Sequence, residues 1–301
     1  MRINPNITSD VLSSIYATQQ QENTALQELS TGKRVNVPSD DPLAASLMVG
    51  NQDQTSRNDQ YLQNVDSLNN QMQTADTALA SVVAALNQAI SLGVQGSTGT
   101  ISSSQRQQIA QSLQGIQAQI VQLANTEIGG VYLFGGTTST TTPYEIDSSS
   151  ASGVQYNGNL GTNQVEVADG LTVQTNLPGS QLFQNANGDV FGSLQQLINA
   201  LQTGTASDAA TATNAVRDAY NSITENRIFY GNVENQLNST QTFLNQEKVN
   251  LSSQENTLVG ADITKAATDL TQATTAHDAA LAAAAKILPT SLLNYLATPT
   301  T

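Results

Sequence analysis

Apolar residues recur along this chain in steps of three and four. The clearest run is Tyr61, Val65, Leu68, Met72, Ala75, Leu79, Val82, Leu86 and Ala89, which alternates four and three without a miss. That spacing is the a/d seam of a coiled-coil helix sustained over heptads. A looser version lies upstream at Val11, Ile15, Ala25 and Leu29, interrupted by Thr18 and Glu22. A third covers Ile109, Leu113, Ile116, Ile120 and Leu123 and stops at Gly129-Gly130. Towards the other end, Val233, Leu237, Leu244 and Leu251 sketch one stripe. Ile263, Ala266, Leu270, Ala273, His277, Ala280, Ala284 and Ile287 form another. Pro289 is expected to end that last helix, because its ring removes a backbone donor and clashes with the preceding turn. A short apolar tag, Leu292-Leu293-Asn294-Tyr295-Leu296, follows it.

Residues 131–187 read differently. Val131-Tyr132-Leu133-Phe134 is strand-like and closed by Gly135-Gly136, with the low-complexity run Thr137–Thr142 and Pro143 behind it. Val165-Glu166-Val167 and Leu171-Thr172-Val173 flank Asp169-Gly170, a hairpin signal because glycine accepts the positive φ of a tight turn. Asn157-Gly158 predicts a further turn. About 50 residues suffice for a small β module but not for a large core. Helix resumes near Phe191–Leu201 and again from about Ala206.

The order is therefore helix, helix, helix, small β insert, helix, helix. Two arms that both carry seams, one outbound and one returning, predict a mainly α fold: an elongated antiparallel helical bundle or coiled coil with a small β-rich inserted domain. A helix from about Asp41 to Ile90 would span roughly 75 Å at ~1.5 Å per residue.

Composition sharpens this picture. Only 11% of residues are charged, against an average near ~25%, and Gln, Asn, Ser, Thr and Ala fill the gap. The e/g ion pairs that usually choose coiled-coil partners are nearly absent. The last seam is mostly alanine, which contributes little apolar area at about 25 cal/mol per Å². Small side chains let helix backbones approach closely, so such a helix gains most when surrounded by others. Lys and Arg total 10 against 24 Asp and Glu, for a formal net charge of −14. A chain so poor in cations cannot neutralise a run of phosphates, which argues against nucleic acid and against anionic membrane surfaces. The longest uninterrupted apolar stretch, Ala279–Ala285, is far short of the roughly 20 residues of a spanning helix, so no membrane insertion is expected. Met1–Asp10 lacks the basic start and apolar run of a cleavable secretory signal.

Candidate chemistry is scarce. The chain has no Cys and a single His, His277, so thiolate chemistry is excluded and zinc sites or Ser-His catalysis have little to build on. His277 sits at an a-type position and reads as a packing or register residue. Asp40-Asp41 could form an acid/base pair, but adjacent acids ahead of a helix usually cap it and complement its dipole. The glycine pairs lack phosphate-cradling spacings and read as turns. No catalytic, cofactor-binding or metal-ligating residue is expected, and the protein is read as a non-enzyme. The remote alternative, a secreted carbohydrate-active enzyme, would have to use Glu145, Asp147, Glu166 and Asp169, the charges of residues 137–187.

Several segments resemble the bacterial flagellin superfamily. Leu29-Ser30-Thr31-Gly32-Lys33-Arg34-Val35-Asn36 followed by Ser39-Asp40-Asp41-Pro42 is similar to its N-terminal signature. Val131-Tyr132-Leu133-Phe134-Gly135-Gly136-Thr137, Tyr156-Asn157-Gly158 and Leu288-Pro289-Thr290-Ser291-Leu292-Leu293-Asn294-Tyr295-Leu296 resemble the hook–filament junction branch, hook-associated protein 3. The resemblance implies a structural subunit of the bacterial flagellum, secreted by the flagellar type III export apparatus without a cleaved signal peptide. Its implied partners are copies of itself in a ring, the neighbouring hook-associated junction protein, flagellin, and a cytoplasmic export chaperone on the C-terminal segment. The alternative within the family is a short flagellin that forms the filament itself.

On this reading the chain has three parts. Residues 1–40 and 258–301 form terminal assembly helices as an inner layer, 41–136 and 188–257 a helical bundle, and 137–187 a small outer β domain. The terminal parts are amphipathic but lean in large apolar side chains, so they are expected to order only when neighbours cover them. The residues expected to carry assembly are Val11, Ile15, Leu26, Leu29, Ile263, Leu270, Ile287, Leu292, Leu293 and Leu296.

Overall fold

The fold is taken from a computed structural model, which describes residues 7–296 along the backbone and 9–286 in their side-chain surroundings. Three helices come first: α1 (Ile7–Thr31), α2 (Pro42–Gly96) and α3 (Ser103–Ala124). Hairpin strands follow as β1 (Glu127–Ile128), β2 (Val131–Tyr132), β3 (Tyr144–Ile146), β4 (Val154–Tyr156), β5 (Gln164–Ala168) and β6 (Leu171–Gln174). A one-turn helix, α4 (Gly179–Phe183), leads into β7 (Gln184–Asn185) and β8 (Gly188–Asp189). The chain then returns through α5 (Val190–Thr203), α6 (Ala206–Val259) and α7 (Ile263–Leu296).

Local chemistry sets the starts of these helices. Asp41 accepts from Ala44 N at 3.0 Å ahead of α2, and Asp189 from Gly192 N at 2.9 Å ahead of α5. Ser102 and Gln105 bond reciprocally at the start of α3, as do Thr205 and Asp208 at α6. Each pairing satisfies amide donors that the first helical turn leaves free.

The chain divides into two compact units: residues up to Arg57 together with those from Gln246 onward, and Asn58–Asn245. In the unit Asn58–Asn245 the α2 seam is buried as its spacing predicts. Val65, Met72, Leu79, Val82, Leu86 and Ala89 are fully enclosed. Facing it is a longer α6 stripe than the sequence suggested, running from Ala209 through Val216, Ile223 and Tyr230 to Leu237 and Leu244. Asp76 takes a two-pronged bond from Arg227, both arms 2.8 Å, and Asp66 accepts from Gln241 at 2.6 Å. Partners on α6 fall in number as those on α2 rise, so the helices run antiparallel there.

Among the described residues, strands pair as four two-stranded antiparallel hairpins. Inward residues of β3–β6 and of the segments beside the strands join the helical core: Tyr144, Val154, Val167 and Val173, with Phe134 after β2 and Phe183 of α4, belong to the same apolar cluster as Leu79 and Leu113. Tyr144 lies 5.1 Å from Phe191 and 5.5 Å from Phe183, ring centre to ring centre. Asn125, just past α3, holds Tyr144 by both backbone groups, donating to its carbonyl at 2.7 Å and accepting from its amide at 2.9 Å.

Four expectations need correcting. The Val131–Phe134 strand stops at Tyr132, because Leu133 and Phe134 turn inward and are buried. Asn157-Gly158 makes no turn. Asn157 N bonds Pro143 O at 2.8 Å, and a Cβ on Gly158 would strike the Tyr156 ring, so glycine is there for close approach. Asp169-Gly170, by contrast, does turn β5 into β6, with Gly170 at φ +71°. Pro289 does not end α7, which runs on to Leu296; a helix can carry one proline at about 3 kcal/mol when the turns on both sides persist. Finally, an 18-residue window of α2 reaches a mean hydropathy of 1.5, enough by length and composition to cross a membrane. Single polar residues interrupt it, and its seam positions Val65, Met72, Leu79, Val82, Leu86 and Ala89 line the core of this unit.

Phe191→Ala should lower the stability of Asn58–Asn245 by about 3–5 kcal/mol, read from urea unfolding. Leu47→Ala, at a position 51% exposed, should change it by less than about 0.5 kcal/mol.

Candidate assembly interface

The unit made of residues up to Arg57 and from Gln246 onward is built on little apolar volume. Among the described residues, its buried apolar positions are Ala25, Ala44, Ala266, Ala273 and Ala284 with Val35, Leu251 and Val259. A buried methyl contributes roughly 0.8 kcal/mol, against ~1.5–3 for a whole Val or Leu side chain. Helices α1 and α7 pack against each other, with Ala25 of α1 and Ala266, Ala273 and Ala284 of α7 buried. They run antiparallel, since Thr18 Oγ1 lies 3.2 Å from His277 Nδ1 while Ala261 N donates to Gly32 O at 2.9 Å. His277 thus sits in the seam as a polar packing residue.

Where α1 passes into α2 and α6 into α7, the two connections cross and pair. Lys33 and Gly260 form an isolated antiparallel bridge, and Arg34 N donates to Val259 O at 2.7 Å. Lys33 Nζ meets Glu255 at 2.8 Å, and Arg34 Nη2 reaches both Asp41 and Leu258 O at 3.1 Å. Such exposed ion pairs contribute ~0–1 kcal/mol each, so the backbone pairing and the small cluster of Val35, Ala44 and Val259 do most of the fastening. Asp40 and Asp41 form no acid/base pair. Asp40 accepts from Asn36 N and Val37 N, both at 3.0 Å, and these bonds hold its carboxyl below the usual range. Asp41 is held below it first by the Ala44 amide and then by Arg34.

The assembly residues named from the sequence fall into three groups. Val11, Ile15 and Leu270 are half-buried along α1 and α7. Leu26, Leu29 and Ile263 stand 55%, 37% and 50% exposed. The side chains of Ile287, Leu292, Leu293 and Leu296 lie outside the described residues. Further exposed apolar positions went unread because they fall off the seams: Leu12, Tyr16, Leu43, Leu47, Val49 and Val249. Their signal was apolar residues out of phase with the stripe in an otherwise polar chain. An open groove of about 690 Å³ between α1 and α7 is lined by amides and methyls, among them Gln20, Gln21, Ala25, Gln272 and Ala273.

The four carboxylates considered for hydrolysis are spread over two hairpins. Asp147 accepts from Ser149 N and Oγ, and Glu166 from Gly170 N at 3.1 Å and Tyr61 Oη at 3.3 Å. Among the described residues, no three His, Asp or Glu side chains gather as a metal site.

The family model of the bacterial flagellin N-terminal helical region matches residues 3–140, and that of the C-terminal helical region matches 213–296. Over 206 residues the chain is 30% identical to flagellar hook-associated protein 3 of Escherichia coli (strain K12), covering 61% of each chain. Over 175 residues it is 31% identical to the protein of that name from Salmonella typhimurium, covering 58% of this chain and 54% of the other. The matches thus span less than two thirds of these relatives' length. Among solved structures, FlgL of Bacillus cereus superposes with a TM-score of 0.59 over 69% of this chain and 99% of that one, at 23% identity, a likeness of fold.

Because backbone amides stabilise the ionised Asp41 in the folded protein, its contribution is present above the usual carboxyl pKa and is lost as the pH falls through the lowered folded value. Asp41→Ala should therefore lower the thermal midpoint at pH 7, and the deficit should shrink below about pH 4. Circular dichroism melts at pH 7 and pH 3 check this; equal deficits at both would show that the carboxylate's charge plays no part.

Proposed function

We propose that this chain, which belongs to the bacterial flagellin family, is a structural subunit of the flagellum that forms the junction ring between hook and filament and templates filament growth. The observation that carries the reading is the contrast between the two compact units. Asn58–Asn245 encloses its large apolar side chains, whereas the terminal unit buries mainly alanine and leaves Leu26, Leu29, Leu43, Leu47 and Ile263 exposed. Helices of that kind gain apolar burial only when other helices cover them, which ties their order to association. The relatives named hook-associated protein 3 support the junction over the filament.

In the same proposal the terminal helices, 1–40 and 258–301, are the inner, assembly-dependent layer. The bundle 41–136 and 188–257 is the middle, and 137–187 faces outward. Val11, Ile15, Leu26, Leu29, Ile263, Leu270, Ile287, Leu292, Leu293 and Leu296 contact neighbouring copies, the adjoining hook-associated protein and flagellin. The protein acts without catalysis. It leaves the cell unfolded through the flagellar export apparatus with no cleaved signal, escorted by a chaperone on its C-terminal segment, and the lack of cysteine removes the risk of cross-links on the way.

Removing residues 258–301 should leave a soluble, folded Asn58–Asn245 unit and abolish filament growth on hooks. Circular dichroism and electron microscopy of a complemented deletion strain read the two results. Hooks without filament, with filament protein in the medium, are expected of a junction subunit. Loss of the filament's own subunit would mark a flagellin, and a normal filament built with the truncated protein would defeat the layered arrangement.

A further inference from the structure

Residues 137–187 enter the assembly reading as one outer part, yet their two longer hairpins are fastened by different asparagines. Among the described residues no ladder joins β3–β4 to β5–β6. Asn125, just past α3, accepts from the Tyr144 amide at 2.9 Å and donates to the Tyr144 carbonyl at 2.7 Å. Gln117 of α3 donates from Nε2 to Ser152 O at 3.0 Å, in the turn between β3 and β4. The first hairpin is thus tied to α3 at its base and at its tip.

The second hairpin closes on a buried knot instead. Asn176, 3% exposed, uses its whole amide: Oδ1 accepts from Asn163 N at 2.6 Å, and Nδ2 donates to Gly136 O and Gly161 O, both at 3.2 Å. Beside it Thr175 N donates to Asn163 O at 2.9 Å, which clamps the two ends of β5–β6 together. From α2, Asn64 Nδ2 donates to Glu166 O at 3.0 Å. One hydroxyl crosses from the first hairpin to the knot, that of Tyr156, 3.1 Å from Phe134 O and 3.0 Å from Asn159 O. A hydroxyl has a single proton to share between those carbonyls, whereas the Asn125 and Asn176 amides make two and three bonds. In the core, Phe134 and Tyr144 each meet Phe183, at 5.6 and 5.5 Å between ring centres, and Phe183 is itself held on Phe191. Either ring can leave while the other keeps its partner.

We propose that residues 137–187 carry two latches that open independently: Asn125 holds β3–β4 to α3, and Asn176 holds β5–β6 together with the 135–137 loop. A buried amide with every donor and acceptor matched is penalised when its partners move away, so each hairpin opens as a unit of its own. This goes beyond the assembly reading, because it concerns how the outer part moves and not what it joins.

The test is hydrogen exchange of the full chain, read by mass spectrometry on peptides covering 144–156 and 164–174. In the unmodified chain, with urea rising below the global transition, the two stretches should lose protection along separate curves. Asn176→Asp keeps the size of the side chain and turns its donor into an acceptor that faces two carbonyls. It should speed exchange in 164–174 by roughly tenfold to a hundredfold and leave 144–156 within about twofold. Asn125→Asp should do the reverse. Faster exchange in both stretches from either variant overturns the proposal, and so does unchanged exchange in the hairpin that the variant targets. Should a variant not recover its helical signal, the urea series on the unmodified chain decides: one common curve for the two hairpins overturns the proposal.

Discussion

Bulky apolar side chains are scarce in this protein, and where they sit governs the rest of it. Asn58–Asn245 holds Met72, Leu79, Leu86, Leu113, Ile120 and the rings of Phe134, Tyr144, Phe183 and Phe191 in one contiguous core. Among its described residues the terminal unit buries mainly alanines, with Leu251 and a cluster of Val35, Ala44 and Val259. Burial scales with apolar area, so the first unit has the means to stand alone, and in the second helix pairing rests on close backbone approach and a few polar bonds.

With so few charges, order is specified by neutral polar groups. Asn125 grips both backbone groups of Tyr144, and Ser102 and Thr205 open helices through reciprocal bonds. Thr18 meets His277 between α1 and α7. Such bonds are short-ranged and directional, and they respond little to salt, unlike exposed ion pairs. Arg227 and Asp76 are the two-pronged exception, placed between the two longest helices. Glutamine, asparagine and threonine elsewhere on the surface keep the chain hydrated while leaving its helical faces open to another neutral surface.

The hairpins show how a module too small for its own core is stabilised. Each is two-stranded, a form that is marginal in water, and two of them, β3–β4 and β5–β6, insert Tyr144, Val154, Val167 and Val173 into the helical core. Burial of Tyr144 and Tyr230 raises both phenols well above their ordinary range, because desolvation disfavours the charged form.

Local regularities were legible in the order of residues. The heptads of α2, the caps at Asp41, the turn at Asp169-Gly170 and the leanness of the ends each follow from side-chain type and spacing within a few turns. Other features were not. The strand expected through Phe134 stops because a core assembled from distant segments draws that ring inward. Gly158 reads as a turn until the Tyr156 ring is seen lying over it. The pairing of Lys33 with Gly260 joins residues 227 positions apart, and the bond from Asn51 to the Leu251 carbonyl joins residues 200 apart. Periodicity tells a helix which face to bury but not which helix to bury it against, since apolar stripes are interchangeable. Only directional bonds between segments brought together in space distinguish one alignment from the next.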